Sequence, residues 1–223
     1  MIYNMYNNMI FNEITKNEIY NSFLFKLQNF LKENEIKIIL NKAKDWKKSV
    51  ICGHLSIFED NLLLHEIWKR IQNYLPSFIK TNSQFIIGDN WELIGLCEKI
   101  RILKYEPGEY IDNHSDKVIT RNILDMNGVK YTQKSFFSIY IYLNDDYCGG
   151  EYYFWELDNK SEKYNFVIKP KKGDCVILHQ SIINKKCQTF DNTQYILRLD
   201  IIYQKKDKII KNCNYNPFIG EWE

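Results

Sequence analysis

After Pro76 the spacing of apolar residues changes from every third or fourth position to every second, and the alternation holds as far as Gln204. Side chains of a strand point alternately to opposite faces, so a period of two means strands, and a long series of them means stacked or closed sheets. Strand-like runs fall at 99–105, 136–144, 151–157, 164–169, 174–180, 185–190 and 194–204. Between them stand turn-forming groups: Asn144-Asp145-Asp146, Gly149-Gly150, Pro170 to Gly173, and Asp191-Asn192-Thr193. Before Pro76 the period is helical. Ile36, Ile39, Leu40 and Ala43 follow Glu33 and Asn34, which supply helix-start chemistry, and Leu64, Ile67, Trp68, Ile71 and Leu75 form one stripe over 61–75. His65 sits beside that stripe as an ordinary helix histidine. Phe23 to Phe30 reads as a strand entering a turn, and the Asn-rich residues 1–20 as a loosely docked start. The order predicts an all-β core, a sandwich- or barrel-like double sheet, with N-terminal helices packed on one sheet.

Charge and cysteine usage narrow the function classes. Thirty basic and 28 acidic residues nearly cancel, which gives no electrostatic footprint for nucleic acid or an anionic membrane. No apolar run approaches the ~20 residues of a membrane span. Six scattered cysteines without a CxxC pair, and a start without a basic segment followed by an apolar one, lead us to expect reduced thiols and a cytoplasmic location.

The chemistry concentrates in Arg101 to Asp116, RILKYEPGEYIDNHSD. A strand ends at Pro107-Gly108, and His114 and Asp116 then flank Ser115. An imidazole and a carboxylate at neighbouring positions offer two of the three ligands of a facial triad, which leaves other positions on a non-haem Fe(II) open. A solvated polar turn would show the same three residues, so the surrounding order decides.

That order is KYEPGEYIDNHSD, SFFSIYIYLNDDYCGGEYYF, IKPKKGDCVILHQ and QYILRLDIIYQ. It resembles the 2-oxoglutarate- and Fe(II)-dependent oxygenases, in their prolyl 4-hydroxylase-like branch, over roughly residues 97–205. NFLKENEIKIILNKAKDW is similar to that branch's supporting helix. The resemblance implies a double-stranded β-helix (jelly-roll) at 97–205, a supporting region at 1–96 and a peripheral tail at 206–223. It implies Fe(II) on His114 and Asp116, 2-oxoglutarate as co-substrate with Tyr105 and Tyr142 lining its pocket, ascorbate as an accessory reductant, and a proline-containing protein or peptide as substrate. Loops 111–134 and 145–150 would form the substrate groove, with 117–134 as a mobile lid.

The last third departs from the family pattern. Asn184 stands where a second histidine completes the ligand set, and Gln194 where a lysine or arginine grips the co-substrate's tail carboxylate. An amide oxygen is a weaker ligand than imidazole, and an amide donor brings no charge. Two rescues present themselves. His179, five residues before Asn184, would swing in as third ligand. Arg198, on the face of Gln194, would take a carboxylate or pair with an acid such as Asp200 or Glu151. Two readings follow, a working oxygenase and a non-catalytic relative that keeps a peptide groove. A cupin-like small-ligand binder is a third.

Overall fold

A computed structural model of the chain describes residues 11–15, 24–83, 86–126, 128–155, 166–206, 215–216 and 221–222. The readings of 1–10 and 16–20, of Phe23, of the ends of two strands at 156–157 and 164–165, and of the tail at 207–214 lie outside the described residues. In chain order the structure runs β1 (Phe11–Thr15), β2 (Leu24–Leu27), α1 (Glu33–Lys42), β3 (Lys47–Lys48), β4 (His54–Phe58) and α2 (Asn61–Ile71). There follow β5 (Phe78–Ser83), β6 (Ile86–Leu96), β7 (Ile100–Tyr105), β8 (Ile111–His114), β9 (Thr120–Leu124), β10 (Lys130–Tyr142), β11 (Tyr152–Trp155) and β12 (Phe166–Ile168). The chain continues through β13 (Cys175–His179), β14 (Ile183–Lys186) and β15 (Gln194–Lys206) to a small hairpin of β16 (Tyr215–Asn216) and β17 (Glu221–Trp222).

Two antiparallel sheets result. The large one has the order β1-β2-β13-β10-β15-β7-β4-β3, with β9 on β10 and the β5–β6 hairpin on β15. The small one has the order β12-β11-β14-β8. Strand alternation divides the large sheet's side chains between two cores. Phe137, Ile139 and Ile141 of β10, Ile177 of β13, and Leu197, Leu199 and Ile201 of β15 cluster with Ile36 and Ile39 of α1 and Leu64, Ile67 and Ile71 of α2. The alternate residues, Tyr140 and Tyr142 of β10, Val176 and Leu178 of β13, Ile196 of β15 and Tyr105 of β7, cluster with Tyr152, Phe154 and Ile168 of the small sheet. The outer core mixes aliphatic side chains with phenylalanine and tryptophan, and the inner one is rich in tyrosine, so polar tips are carried into the space between the sheets.

Local chemistry sets the helix boundaries. Asp60 caps α2, accepting from the Leu63 N–H at 3.0 Å, and the Glu35 carboxylate accepts from the Lys32 N–H at 2.8 Å at the start of α1. Arg70 of α2 reaches Glu35 of α1 at 2.5 Å and ties the two helices together.

Three expectations change. The segment 117–134 is not a free lid: β9 pairs with the first part of β10 in register from Lys130↔Leu124 to Lys134↔Thr120. That stretch is half-exposed on both faces, so its alternation is too weak to read in the sequence. The N-terminal region contributes strands as well as helices, since β2 pairs with β13, β4 with β7 and β6 with β15. The strand expected at 185–190 begins earlier, at Ile183, because the turn after β13 closes within 180–182 and leaves Asn184 inside the ladder.

Candidate active site

His114 ends β8, and its cross-strand partner on β14 is Asn184. From Asn184↔His114 the next pairing is Lys186↔Ile111, so β8 carries one extra residue at this edge. A bulge of this kind bends the strand and re-aims the side chain beside it. The His114 ring is fixed from behind: its Nδ1 lies 2.8 Å from the Asp112 carbonyl. A carbonyl only accepts, so Nδ1 carries the proton and Nε2 keeps a free lone pair. That Nε2 lies 3.9 Å from Asp116 Oδ1.

Asp116 is buried, and its backbone N–H donates to the Gln180 carbonyl at 3.1 Å, which pins the segment leaving β8 to the end of β13. The Tyr140 hydroxyl lies 2.7 Å from each carboxylate oxygen. Arg198 Nη2 approaches Oδ1 at 3.4 Å and Asp200 Oδ1 at 3.6 Å. Burial works against the Arg198 charge, but Tyr140 and the carboxylates of Asp116 and Asp200 outweigh it and hold the guanidinium firmly protonated. Burial and the neighbouring Asp116 charge push the Tyr140 hydroxyl well above its ordinary range, so it stays a donor.

Asn184 is fully buried. Its Nδ2 donates to the carbonyls of His114 at 3.3 Å and Ile182 at 3.4 Å, and its Oδ1 has no partner. Because both contacts of the amide nitrogen are carbonyls, the free atom is the oxygen.

Deeper between the sheets, Gln194 pairs across the ladder with Tyr105. Its Nε2 donates to the Tyr147 hydroxyl at 2.6 Å and the Gly150 carbonyl at 3.3 Å, while Oε1 has no partner. Gly150 has φ +74°, and a Cβ there would stand 3.1 Å from Gln194 Nε2 and 2.9 Å from the Tyr147 ring. The glycine is needed both for its conformation and for this close approach. The Tyr142 hydroxyl, Thr189 Oγ1 and Arg198 Nε, all buried, likewise lack partners. Buried polar atoms are ordinarily paired, and such a group of exceptions marks a place built to meet a polar ligand.

The structure thus brings His114, Asp116 and Asn184 together at one edge of the two sheets, and Tyr105, Tyr142 and Gln194 into the inner core. His179 does not join them. Its ring packs on Phe136 and on Phe137, the latter at 5.3 Å edge to face, and its Nδ1 meets Ser181 Oγ at 2.6 Å. An odd offset from Leu178 turns it to the outer face of β13, so the rescue by His179 is withdrawn. Arg198 pairs with Asp200 and also with Asp116, not with Glu151. Lys186 was not singled out from the sequence. It is wholly buried, with Nζ 4.4 Å from the Tyr105 ring centroid and its hydrogen bonds going to the carbonyls of Cys187 at 3.0 Å and Glu109 at 3.3 Å. Burial lowers its pKa to about 8. The signal was its position two residues after Asn184, hence on the same face of the strand.

Among the described residues no three His, Cys, Asp or Glu side chains gather to hold a metal. Beside His114 and Asp116, the side chain at the position paired with His114 is an amide, that of Asn184. Imidazole nitrogen, carboxylate oxygen and amide oxygen together still fit a divalent first-row metal, with less affinity than a set containing two imidazoles.

Residues 100–191 match the model of the 2OG-Fe(II) oxygenase superfamily. No curated protein sequence is significantly similar to the chain. Among solved structures, a prolyl-4-hydroxylase of Pseudomonas putida superposes with a TM-score of 0.54 at 12% identity, over 82% of this chain and 92% of that one. The viral collagen prolyl hydroxylase of Paramecium Bursaria Chlorella virus-1, in its 2OG complex, superposes with a TM-score of 0.51 at 18% identity, over 86% of this chain and 98% of that one. Residues 100–191 thus resemble the 2OG-Fe(II) oxygenase superfamily in sequence, and over most of its length the chain has the fold of these two prolyl hydroxylases.

Proposed function

We propose that this chain is a 2-oxoglutarate- and Fe(II)-dependent oxygenase that hydroxylates a prolyl residue of a protein or peptide, with His114, Asp116 and Asn184 as the iron ligands. The observation that carries this reading is the Asn184 amide oxygen, buried and without a partner on the strand that pairs with His114. An unmet buried acceptor costs roughly 1–3 kcal/mol, and coordination removes that cost. Fe(II) with 2-oxoglutarate, when bound, supplies the activation of O₂ for C–H hydroxylation. The chain's own residues orient the donors. The Asp112 carbonyl holds the His114 ring with Nε2 bare, and the Tyr140 hydroxyl fixes the Asp116 carboxylate. The Tyr142 hydroxyl offers an unpaired donor to the co-substrate, which would occupy the tyrosine-lined space beside Tyr105. The prolyl hydroxylases among the fold neighbours, one of them a 2OG complex, motivate the substrate class. Free cysteines throughout the described residues and no helix long and apolar enough to cross a membrane suit a cytoplasmic enzyme.

One observation favours a second reading. Arg198 Nη2 stands 3.4 Å from Asp116 Oδ1, so a guanidinium already offers that carboxylate a positive charge. In a non-catalytic relative it would take the place of the metal, and the groove would bind a peptide without turnover.

Anaerobic calorimetry with Fe(II), followed by assay for succinate with ascorbate and proline-containing peptides, separates the two. The oxygenase reading expects one Fe(II) per chain, at least tenfold weaker binding in Asn184→Leu, and succinate with hydroxyproline in equal amounts. Peptide binding without Fe(II) uptake or succinate would establish the second reading and overturn the first.

A further inference from the structure

Lys186 lies wholly inside the protein, yet among the described residues no carboxylate lies within ion-pair distance of it. Its Nζ has two backbone carbonyls and the face of Tyr105 for company. The Glu109 carboxylate accepts from the Glu106 N–H at 2.7 Å and makes no ion pair with the ammonium, although its charge favours the protonated form. Burial raises the pKa values of the Cys52 thiol and the Tyr105 hydroxyl, so neither provides an anion. A buried cation without a counter-ion is unfavourable, and such groups are ordinarily paired.

The placement of this ammonium gives it a use. Lys186 and Asn184 alternate with half-exposed neighbours on β14 and face the same inter-sheet space. Two residues along a strand separate them by about 7 Å, which is of the order of the length of a five-carbon dicarboxylate. Across the ladder Lys186 faces Tyr152, whose ring lies 6.0 Å from that of Tyr142 with its unpaired hydroxyl. Tyr105, over which the ammonium sits, is the cross-strand partner of Gln194. We propose that Lys186, projecting from the small sheet, binds the distal carboxylate of 2-oxoglutarate and supplies the charge that Gln194 lacks on β15. This rests on the reading that the space between the sheets holds 2-oxoglutarate beside a metal at Asn184.

The test is calorimetric titration of two ligands in the presence of saturating Mn(II): 2-oxoglutarate, and 2-oxobutyrate, which lacks the distal carboxylate. In Lys186→Met the affinity for 2-oxoglutarate falls at least tenfold while that for 2-oxobutyrate stays within twofold. Replacing a buried charge with an apolar side chain of similar length also leaves the melting temperature equal or higher, which shows that the loss is not unfolding. Adding Gln194→Lys in the Lys186→Met background restores 2-oxoglutarate affinity, because the charge returns to the same pocket from the other sheet. If wild type binds 2-oxoglutarate and Lys186→Met binds it equally well, the assignment to Lys186 is wrong although the pocket is right; loss in Arg198→Met instead would assign the carboxylate to Arg198. If wild type binds neither ligand, the co-substrate reading itself fails, and this proposal with it.

Discussion

Single side chains at this site are held by contacts that leave one atom of each unused. Asn184 donates both ways through its nitrogen and leaves its oxygen bare, and His114 is fixed through Nδ1 and leaves Nε2 bare. Replacing Asn184 with histidine puts an imidazole at the same cross-strand position, and we expect Fe(II) affinity to rise by about tenfold or more, each factor of ten being ~1.4 kcal/mol. Anaerobic titration of both proteins checks this; equal affinities would mean that position 184 does not ligate. His179 supports a prediction of another kind. Its burial, with Lys134 nearby, lowers its pKa from 6.5 to about 4. Between those values an unfolded chain takes up a proton that the folded chain refuses. Stability from this group is therefore complete above pH 6.5 and is lost as the pH falls toward 4, by at most about 3 kcal/mol. His179→Phe, whose ring suits the same contacts with Phe136 and Phe137, should flatten that part of the stability profile in denaturant melts at pH 7, 5.5 and 4.5.

Among the elements, β10 does most to join fold to candidate site, since its Phe137, Ile139 and Ile141 belong to the outer core and its Tyr140 and Tyr142 to the inner one. The two cores are separated by one sheet, so damage to one need not reach the other. Truncating Ile67 of α2 to alanine should cost 2–5 kcal/mol, the range for a buried isoleucine, yet leave Fe(II) affinity within about twofold. Chemical denaturation and metal titration on one preparation check both halves. Much of this arrangement was legible from period alone. The run FFSIYIYL alternates its aliphatic and tyrosine residues, whereas the candidate positions His114, Asp116, Asn184 and Gln194 came from the family resemblance and not from period. What period could not give was the β9–β10 hairpin, where both faces meet water and alternation carries little signal. It also could not give Lys186, because a Lys-Lys pair at the start of the strand expected at 185–190 leaves open which of the two points inward until the ladder is seen. The pairing of Arg198 with Asp200 was expected, but its second partner was missed for a related reason, since Asp116 is distant in sequence and only the closing of the two sheets brings it near.

Taken whole, the molecule sets a core of aliphatic and aromatic side chains against an inner space with several unpaired polar atoms, an arrangement that costs stability and that the proposed ligands would offset. Tyr142 Oη, Asn184 Oδ1, Thr189 Oγ1, Gln194 Oε1 and Arg198 Nε are all buried without partners. Each such atom is a place where the ligand-free fold is weaker than an apolar filling would make it. Ligand should then raise the melting temperature of the whole chain by mass action: at a hundred times the dissociation constant the gain is ~2.7 kcal/mol. For a chain of this length that corresponds to a rise of roughly 5–10 °C. We expect Mn(II) together with 2-oxoglutarate to produce such a rise in wild type. Asn184→Leu should melt higher than wild type without ligand, because the unmet acceptor is gone, and respond little when metal is added. Scanning calorimetry of the two proteins with and without both ligands decides the matter. A wild-type melt that ligands do not move, or an Asn184→Leu variant that is less stable than wild type and still responds in full, would show that the unpaired atoms are not kept for a metal and its co-substrate.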